Sequence, residues 1–188
     1  CINEDIDAKH AALKYLGELC RDTCVFGTSV TSVTVSELSH DLPCADRIVG
    51  FHLFSHANRL PFVELAASEK TSRRALIAAK RIAEVMGAVA AECHDQAGYM
   101  VKRMRSALFA ESVRVLNEGK ANISTIDAAI SKAFGITGPF AEMNDVGIQT
   151  AEFAAKGLSG NLPDLYIPPE RLRAQSLSGE KWNILGDI

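Results

Sequence analysis

The stretch RIVGFHLFSHANRLPFVELAASEKTS, residues 47–72, decides the fold that this 188-residue sequence predicts. Its two apolar runs, residues 47–54 and 61–66, are rich in Val, Ile, Leu and Phe, as buried strands are. Thr71 or Ser72 then caps a predicted helix with a continuous apolar stripe. The stripe consists of Leu76, Ala79, Ile82, Ala83, Met86 and Val89. Strands that are separated by helices predict an α/β layer with a largely parallel sheet.

The sequence before this stretch shows the same alternation. Residues 5–20 place apolar side chains at helical spacing, and a short β-rich run, residues 23–26, follows and breaks at Gly27. Residues 32–38 fit either a short strand or a helical turn. The first half of the chain therefore predicts helices and strands in turn.

The second half of the chain has only helical patterns, and the change occurs at DQAG, a sequence typical of a turn. Residues 99–118 predict one helix, Ser124 caps a second, and a third runs over residues 139–156. The Pro-containing stretch that follows, NLPDLYIPPERL, predicts mostly loop. The chain thus divides into an α/β part, residues 1–96, followed by an all-α part, residues 97–188.

Composition and charge exclude several classes of protein. Apolar residues make up 47% of the chain and charged residues 23%, which excludes a disordered chain. The 20 Lys and Arg against 23 Asp and Glu give a net charge of −3, so we expect no binding to nucleic acid or a membrane surface through bulk positive charge. No apolar run approaches the roughly 20 residues of a membrane helix, and we predict no membrane span.

Cysteine usage indicates a reducing compartment. The five cysteines are an odd number in a chain long enough to fold without disulfides, so we expect reduced thiols in an intracellular protein of the cytoplasm or an organelle matrix, mitochondrial or peroxisome-like. Cys20 and Cys24 with His52 and His56 resemble two halves of a metal site, but the 27 residues between the pairs fit no zinc-finger spacing. We therefore predict no metal.

His52 and Glu64 stand out because each lies inside an apolar predicted strand, twelve residues from the other. Burying either side chain costs free energy unless it is paired or hydrogen-bonded. If the two strands are neighbours, the carboxylate can fix the imidazole tautomer and raise its basicity, which leaves the other ring nitrogen as a general base. The pattern also fits a purely structural pair, or two strand ends at which both side chains reach water, and these are the commoner arrangements.

Ser29 lies in GTS, directly after the β-rich run, at the edge of an open α/β sheet where ligands bind. A turn-forming role is the alternative, since Ser and Thr after Gly are common in turns. The 188 residues contain no G-x-G-x-x-G, no G-x-x-x-x-G-K-[ST] and no G-x-S-x-G, so they supply neither a nucleotide phosphate loop nor a hydrolase nucleophile elbow.

Several motifs in a fixed order give the chain a family resemblance. RIVGFHLFSHANRLPFVELA resembles G-x-H-[FY]-F-[NS]-P-x-x-x-M-P-L-[VL]-E-[VI] of the L-3-hydroxyacyl-CoA dehydrogenases, including the twelve-residue step from the catalytic His to its Glu. DQAGYMVKR is similar to D-x-P-G-F-x-x-N-R, and VRVLNEGKANISTIDAAISKAFGITGPFAEMNDVGI is similar to the family's helical domain. GTSVTSV resembles the N-T-S-S loop, and SLSGEKW resembles a worn K-[ST]-G-x-G-F-Y ending. The type found in multifunctional β-oxidation proteins is the most similar.

The resemblance implies both a fold and a reaction. The fold is the remainder of an NAD-binding Rossmann domain, with a partial sheet, over residues 1–96, and a helical C-terminal domain of the 6-phosphogluconate-dehydrogenase-like type over residues 97–188. The family uses NAD to oxidise the C3 hydroxyl of acyl-CoA thioesters in fatty-acid β-oxidation. The helical domain is expected to contribute the substrate cleft.

The helical domain is also expected to form a homodimer. Family members pair through this domain, and its apolar residues exceed what a three-helix layer needs for its own core. The residues concerned include Met100, Met104, Leu108, Ile126, Ile130, Phe134, Phe140 and Phe153.

The resemblance also assigns site residues. His52 would be the general base and Glu64 its orienting partner. Ser29 would contact both the substrate hydroxyl and the cofactor. The other residues that match NAD-contacting positions are Glu4, Lys9 and Ser55.

At three positions the sequence departs from the family pattern. Lys102 replaces an Asn near the thioester, where it would bind substrate and where its charge would lower the basicity of His52. Ser55-His56 replaces Asn-Pro, and Leu177 replaces a Lys that contacts the cofactor.

The family's glycine-rich phosphate loop is expected upstream of Cys1, since the chain starts without an initiator Met. We therefore expect these residues to be a portion of a longer enzyme and to be inactive alone. The alternative is a non-catalytic paralogue that acts as an acyl-CoA-binding or dimerisation module. The upstream sequence discriminates between them, because an intact phosphate loop favours the enzyme.

Overall fold

The structure, a computed structural model, describes residues 5–30, 33–54, 61–159 and 166–184. The chain divides into two compact units, Cys1–Met100 and Val101–Ile188, which are described in turn. Within the described residues, none of the helices is both long enough and apolar enough to cross a membrane.

The first unit is a four-stranded sheet with helices on both faces, which confirms the predicted α/β layer. Its elements are α1 (Ile6–Leu19), β1 (Phe26–Thr28), α2 (Val35–Leu38), a 3₁₀ turn (Ala45–Arg47), β2 (Ile48–Phe54), β3 (Phe62–Ala67), α3 (Arg73–Val85) and β4 (Val89–His94). The strand order is β1-β2-β3-β4, so each strand pairs with its neighbour in sequence.

The sheet is mixed rather than largely parallel. β1 and β2 run parallel, as do β3 and β4, but β2 and β3 run antiparallel. The connection between β2 and β3 spans only residues 55–61, whereas a parallel crossover needs about a dozen residues or more. The predicted parallel character is therefore wrong for the central pair of strands.

β1 begins at Phe26, later than the predicted run, and Gly27 lies inside the strand instead of ending it. A Cβ at Gly27 would lie 3.3 Å from the Cβ of Phe51 on β2. The glycine therefore leaves room for the Phe51 side chain, and it acts by its small size rather than as a turn residue.

β4 was not predicted, because Val89 was assigned to the end of the helical stripe. α3 ends at Val85, and Gly87 then adopts a φ of +69°, which turns the chain out of the helix. The backbone N–H of Val89 donates to the Pro61 carbonyl at 2.9 Å, where the pairing with β3 begins. A short apolar run fits helix and strand equally well, so its pairing partner decides the outcome.

The two faces of the sheet pack against different helices. Because side chains alternate along a strand, Ile48 and Ala66 face α1 and α2, whereas Val49 and Leu65 face α3. Ser72 is the N-cap of α3, as predicted, and its hydroxyl accepts from the N–H of Ala75 at 3.2 Å. The residues by which α3 packs on the sheet are Ala75, Ala79 and Ala83.

Arg47, at the start of β2, is buried and satisfies the C-terminal end of α1. Its guanidinium donates to the carbonyls of Gly17 and Arg21 at 3.0 and 2.8 Å. It also lies 5.2 Å from the centre of the Phe26 ring. A cation at the carbonyl end of a helix is favourable, and here it fixes α1 to the sheet.

The second unit is all-helical, as predicted. Its helices are α4 (Val101–Asn117), α5 (Ile123–Phe134), α6 (Pro139–Val146), α7 (Ile148–Ser159) and α8 (Glu170–Ser178). The predicted third helix is divided into α6 and α7 because Gly147 adopts a φ of +92°. α8 begins inside the last three residues of the stretch for which mostly loop was predicted, and it continues to Ser178. The N-cap of α5 is Asn122 rather than Ser124, and its side chain accepts from the N–H of Thr125 at 2.9 Å.

Asp127, on α5, caps the N-terminus of the next helix. Its carboxylate accepts from the backbone N–H groups of Phe140 and Ala141 at 2.8 and 3.0 Å. Gly138, the N-cap residue of α6, has no side chain to do this. A Cβ at Gly138 would overlap the Asp127 carboxylate, so the cap and the glycine require each other.

The segment after α8 is anchored by Asn144 of α6. The side-chain amide of Asn144 donates to the Trp182 carbonyl at 2.9 Å, and its oxygen accepts from the Trp182 N–H at 2.8 Å. The Trp182 ring is buried edge-on against Phe140, with 5.1 Å between ring centres. Trp182, at the end of the SLSGEKW stretch, is therefore part of the core of the second unit.

Candidate active site

The antiparallel pairing of β2 and β3 brings His52 and Glu64 together. The two residues are opposite each other in the register, so their side chains leave the same face of the sheet. His52 Nδ1 lies 3.2 Å from Glu64 Oε2. The Glu64 side chain is fully buried, whereas the His52 side chain is 23% exposed. The pair thus has one end in the core and one end within reach of solvent.

Glu64 has a second partner, which the sequence did not predict. Its Oε1 accepts from the backbone N–H of Met100 at 3.0 Å. A buried carboxylate is costly without hydrogen bonds, and the two oxygens of Glu64 each have one. The carboxylate is therefore held at both oxygens.

Aromatic rings surround the imidazole of His52. The Phe54 ring lies edge-on to it, with 4.3 Å between ring centres, and the Tyr99 ring lies 6.3 Å away. With Nδ1 directed at Glu64, Nε2 is the ring nitrogen on the far side of the imidazole. The arrangement orients the ring and presents one nitrogen as a base.

Ser29 lies directly after β1, at the carboxyl end of that strand, and is exposed. β1 pairs in parallel with β2, and Thr28 is opposite Gly50. Ser29 and His52 therefore lie at the same edge of the sheet, the edge at which open α/β sheets bind ligands.

Lys9 is buried on α1, one turn before Leu13, on the helix face that covers the sheet. A buried lysine is found almost only where its charge is paired. Glu4 and Ser55, the other two residues that match NAD-contacting positions, lie outside the described residues.

Lys102 and Leu177 belong to the second unit. Lys102 is half-buried in the first turn of α4, and Leu177 is 88% exposed near the end of α8. Their relation to substrate and cofactor stays a prediction.

Cys93, on β4, is a partly buried thiol near the base of the site. Burial first, and then the carboxylates of Glu64 and Asp95, raise the pKa of Cys93 to about 11. Its Sγ contacts the Leu65 carbonyl at 3.6 Å. The thiol is therefore protonated near neutral pH, and it is a packing group rather than a nucleophile.

Among the described residues, no three metal-ligating side chains of His, Cys, Asp or Glu lie close enough together to hold an ion. Of the four cysteines that are described, each is a free thiol. The buried thiol of Cys44 has a raised pKa, for which burial is the main cause.

Three features of the site escaped the sequence analysis: the Met100 N–H, the Tyr99 ring and the carboxylate of Asp95. Asp95 accepts from the N–H groups of Val35 and Ser36 at 2.6 and 2.8 Å, and so ties the end of β4 to the start of α2. The sequence signals at these positions are the turn-forming DQAG and the resemblance of DQAGYMVKR to D-x-P-G-F-x-x-N-R, and neither assigns them a role beside His52 and Glu64.

Two family models match the chain. Residues 1–96 match the NAD binding domain of 3-hydroxyacyl-CoA dehydrogenase. Residues 98–180 match the C-terminal domain of 3-hydroxyacyl-CoA dehydrogenase. Together these matches leave few residues of the chain uncovered.

The chain is also similar to curated bacterial proteins. It is 28% identical over 165 residues to the fatty acid oxidation complex subunit alpha of Psychrobacter cryohalolentis, which covers 88% of this chain and 23% of that protein. It is 25% identical over 181 residues to the fatty acid oxidation complex subunit alpha of Shewanella halifaxensis, which covers 95% of this chain and 25% of that protein. The chain spans about a quarter of the length of these relatives.

Solved structures share the fold. The (S)-3-hydroxybutyryl-CoA dehydrogenase of Ralstonia eutropha matches with a TM-score of 0.88 at 22% identity, over 99% of this chain and 66% of that one. The 3-hydroxybutyryl-CoA dehydrogenase of Escherichia coli matches with a TM-score of 0.88 at 19% identity, over 99% of this chain and 42% of that one. The α/β part followed by a helical part is therefore a known arrangement.

Proposed function

Because the chain belongs to the 3-hydroxyacyl-CoA dehydrogenase family, we propose that it is a portion of an NAD-dependent L-3-hydroxyacyl-CoA dehydrogenase of fatty-acid β-oxidation. The observation that carries the proposal is the hydrogen-bonded pair of His52 and Glu64, 3.2 Å apart at the ligand-binding edge of the sheet. The reaction would oxidise the C3 hydroxyl of an acyl-CoA thioester to a ketone.

His52 acts as the general base in this proposal. We assign the proton of the neutral imidazole to Nδ1, which then donates a hydrogen bond to Glu64. The lone pair of Nε2 is therefore available to take the proton of the C3 hydroxyl. The buried carboxylate then stabilises the imidazolium that forms. Bound NAD would supply the hydride acceptor for C3, and the product would be a 3-ketoacyl-CoA.

The residues present fit the nicotinamide end of NAD. Ser29 is exposed at the carboxyl end of β1, on the same sheet edge as His52, where its hydroxyl can bind the substrate hydroxyl and the cofactor. Lys9, with Glu4 and Ser55, would hold further parts of the cofactor. The glycine-rich loop that binds a pyrophosphate is not among these 188 residues. We assign residues 1–96 to the NAD-binding domain because they match its family model and carry Ser29 at the edge of the sheet.

We assign residues 97–188 to substrate binding and dimerisation. Lys102, in the first turn of α4, would bind the thioester oxygen or the CoA phosphates in place of the family's Asn. Of the apolar residues predicted to be in excess, Ile126 and Phe140 are buried in the core of the second unit and do not support the argument. Those that are exposed in this unit are Met104, Phe134 and Phe153. An exposed apolar surface of this kind supports a homodimer.

The compartment is proposed from the cysteines. The four described cysteines are free thiols, which supports a reducing intracellular environment. The curated relatives are bacterial proteins, which supports the cytoplasm rather than an organelle.

The test is turnover by the full-length enzyme, measured as NADH formed from a 3-hydroxyacyl-CoA. His52→Gln should lower kcat by about 10²–10⁴ and leave KM for acyl-CoA and NAD nearly unchanged, because a positioned base contributes about that much. Val85→Ala, at a position on α3 that is 89% exposed, is the control. Wild-type turnover by the His52 variant would refute the assignment, and acyl-CoA binding without any turnover by the wild type would favour the non-catalytic alternative.

A further inference from the structure

We propose that Tyr99 is a positioning residue for the pair of His52 and Glu64, and that it acts through the backbone. Its ring packs against Gly50, its own backbone is held left-handed there, and the N–H that follows is thereby directed at the carboxylate. The inference rests on the proposed function. It gives a role to a turn that the sequence identified as the boundary between two parts of the chain and as part of the motif DQAGYMVKR.

The first step is the requirement of Glu64 for a second donor. Its side chain is fully buried, so an oxygen without a hydrogen bond would be costly. One oxygen faces His52 at 3.2 Å and the other accepts from the Met100 N–H at 3.0 Å. Two bonds at different oxygens fix the plane of the carboxylate, and the plane of the carboxylate fixes the direction of the imidazole.

The second step is the geometry of the turn that supplies this donor. Gly98 and Tyr99 have successive positive φ angles, +78° and +44°. The left-handed region is unfavourable for a residue with a Cβ, and such strain is concentrated at functional sites. The direction of the Met100 N–H is set by the peptide that leaves Tyr99. The strained residue therefore lies immediately before the donor that Glu64 uses.

The third step is the contact that holds Tyr99 in this conformation. Tyr99 is 4% exposed, and its ring occupies the space that a side chain at position 50 would fill. A Cβ at Gly50 would lie 2.5 Å from Tyr99 Oη, 3.0 Å from the Cβ of Ala66 on β3 and 3.1 Å from Tyr99 Cζ. Gly50 precedes His52 by two residues on the same face of β2. β2 thus carries both Gly50, which leaves space for the Tyr99 ring, and His52, the proposed base.

The experiment displaces the ring without deleting the dyad. Gly50→Ala in the full-length enzyme should push the Tyr99 ring away and lower kcat by about 10- to 100-fold, with KM for acyl-CoA changed less than about twofold, because sub-ångström to 1 Å shifts act on chemistry more than on binding. Adding Tyr99→Phe should restore part of the loss, since it removes the atom nearest to the new Cβ. Val85→Ala, at a position on α3 that is 89% exposed, is the control and should leave kcat unchanged.

A spectroscopic measurement separates this role from a merely structural one. In protein labelled with [¹⁵N]histidine, His52 should carry its proton on Nδ1 in the wild type, as Glu64 requires. Gly50→Ala should shift part of the population to the Nε2–H tautomer. An unchanged tautomer with unchanged kcat would overturn the proposal.

A second variant covers the case in which Gly50→Ala does not fold. An amide-to-ester substitution at position 100 removes only the Met100 N–H, and it should cause the same loss of kcat and the same tautomer shift. Wild-type values for both would also overturn the proposal. If the unmodified full-length protein has no dehydrogenase activity, the proposed function fails, while the tautomer shift still tests the positioning role by itself.

Discussion

The two faces of the sheet described in the first unit differ in the polarity of their buried side chains. On the face towards α3, Val49, Val63 and Leu65 are at most 1% exposed and pack on small helical side chains. On the face towards α1 and α2, the same two central strands carry His52 and Glu64, with a residue in the left-handed region beside them. The first face is packed with apolar side chains, whereas the second carries buried polar side chains at the candidate site.

This comparison predicts that substitutions on the two faces will affect different properties. Changes on the α3 face should lower the free energy of unfolding and leave the turnover of folded molecules intact. Changes on the site face should lower turnover and have smaller effects on stability.

The largest stability effect should come from Leu65→Ala, on the α3 face. Leu65 is 1% exposed, and truncation of a buried leucine costs about 2–5 kcal/mol from lost burial and the cavity left behind. Urea unfolding of the full-length protein measures the loss, and kcat per folded molecule should stay near the wild-type value. A fall in kcat per folded molecule of tenfold or more would mean that the two faces are not independent.

A smaller effect is expected on α3 itself, where the inner and outer sides can be compared directly. Ala79→Leu adds volume at a position that is 2% exposed, and overpacking costs about 1–3 kcal/mol. Val85→Ala, at a position that is 89% exposed, should change the free energy of unfolding by less than about 0.5 kcal/mol. Equal losses in the two variants would contradict the packing assigned to this helix.

The smallest effect concerns pH and the thiol of Cys93. Its pKa is raised to about 11 from an unfolded value of 9.0, so between these values the folded state holds a proton that the unfolded state has lost. Stability should therefore fall as pH rises through this range. Cys93→Ala should remove this part of the pH dependence. The idea fails if the wild type and the variant lose stability in parallel between about pH 9 and 11.

The sequence predicted the strands of the site because their apolar runs are clear and their two polar residues are unusual. The step from His52 to Glu64 across a short connection is enough to make the residues neighbours once the strands pair. β4 was missed because its run is short and rich in alanine, which suits helix and strand alike. The division between α6 and α7 was missed because only the φ of Gly147 reveals it.

The motif DQAGYMVKR did not reveal that its backbone supports the pair of His52 and Glu64. The donor to Glu64 is a backbone N–H, which every residue but proline has, so its direction depends on the conformation of Tyr99 rather than on residue type. The presence of a glycine at position 50 likewise does not predict that the Tyr99 ring packs against it. Sequence patterns identify polar side chains within apolar strands, and the conformation of the folded backbone determines which groups hydrogen-bond to them.

The central claim is that Glu64 works through His52, and a double-mutant cycle on kcat tests it most directly. In the full-length enzyme, Glu64→Gln should lower kcat by about 10- to 100-fold and His52→Gln by about 10²–10⁴. The double variant should match His52→Gln alone within about twofold, because a partner that only orients the base has no effect once the base is gone. Losses that multiply, or a Glu64→Gln variant with wild-type kcat, would contradict the account.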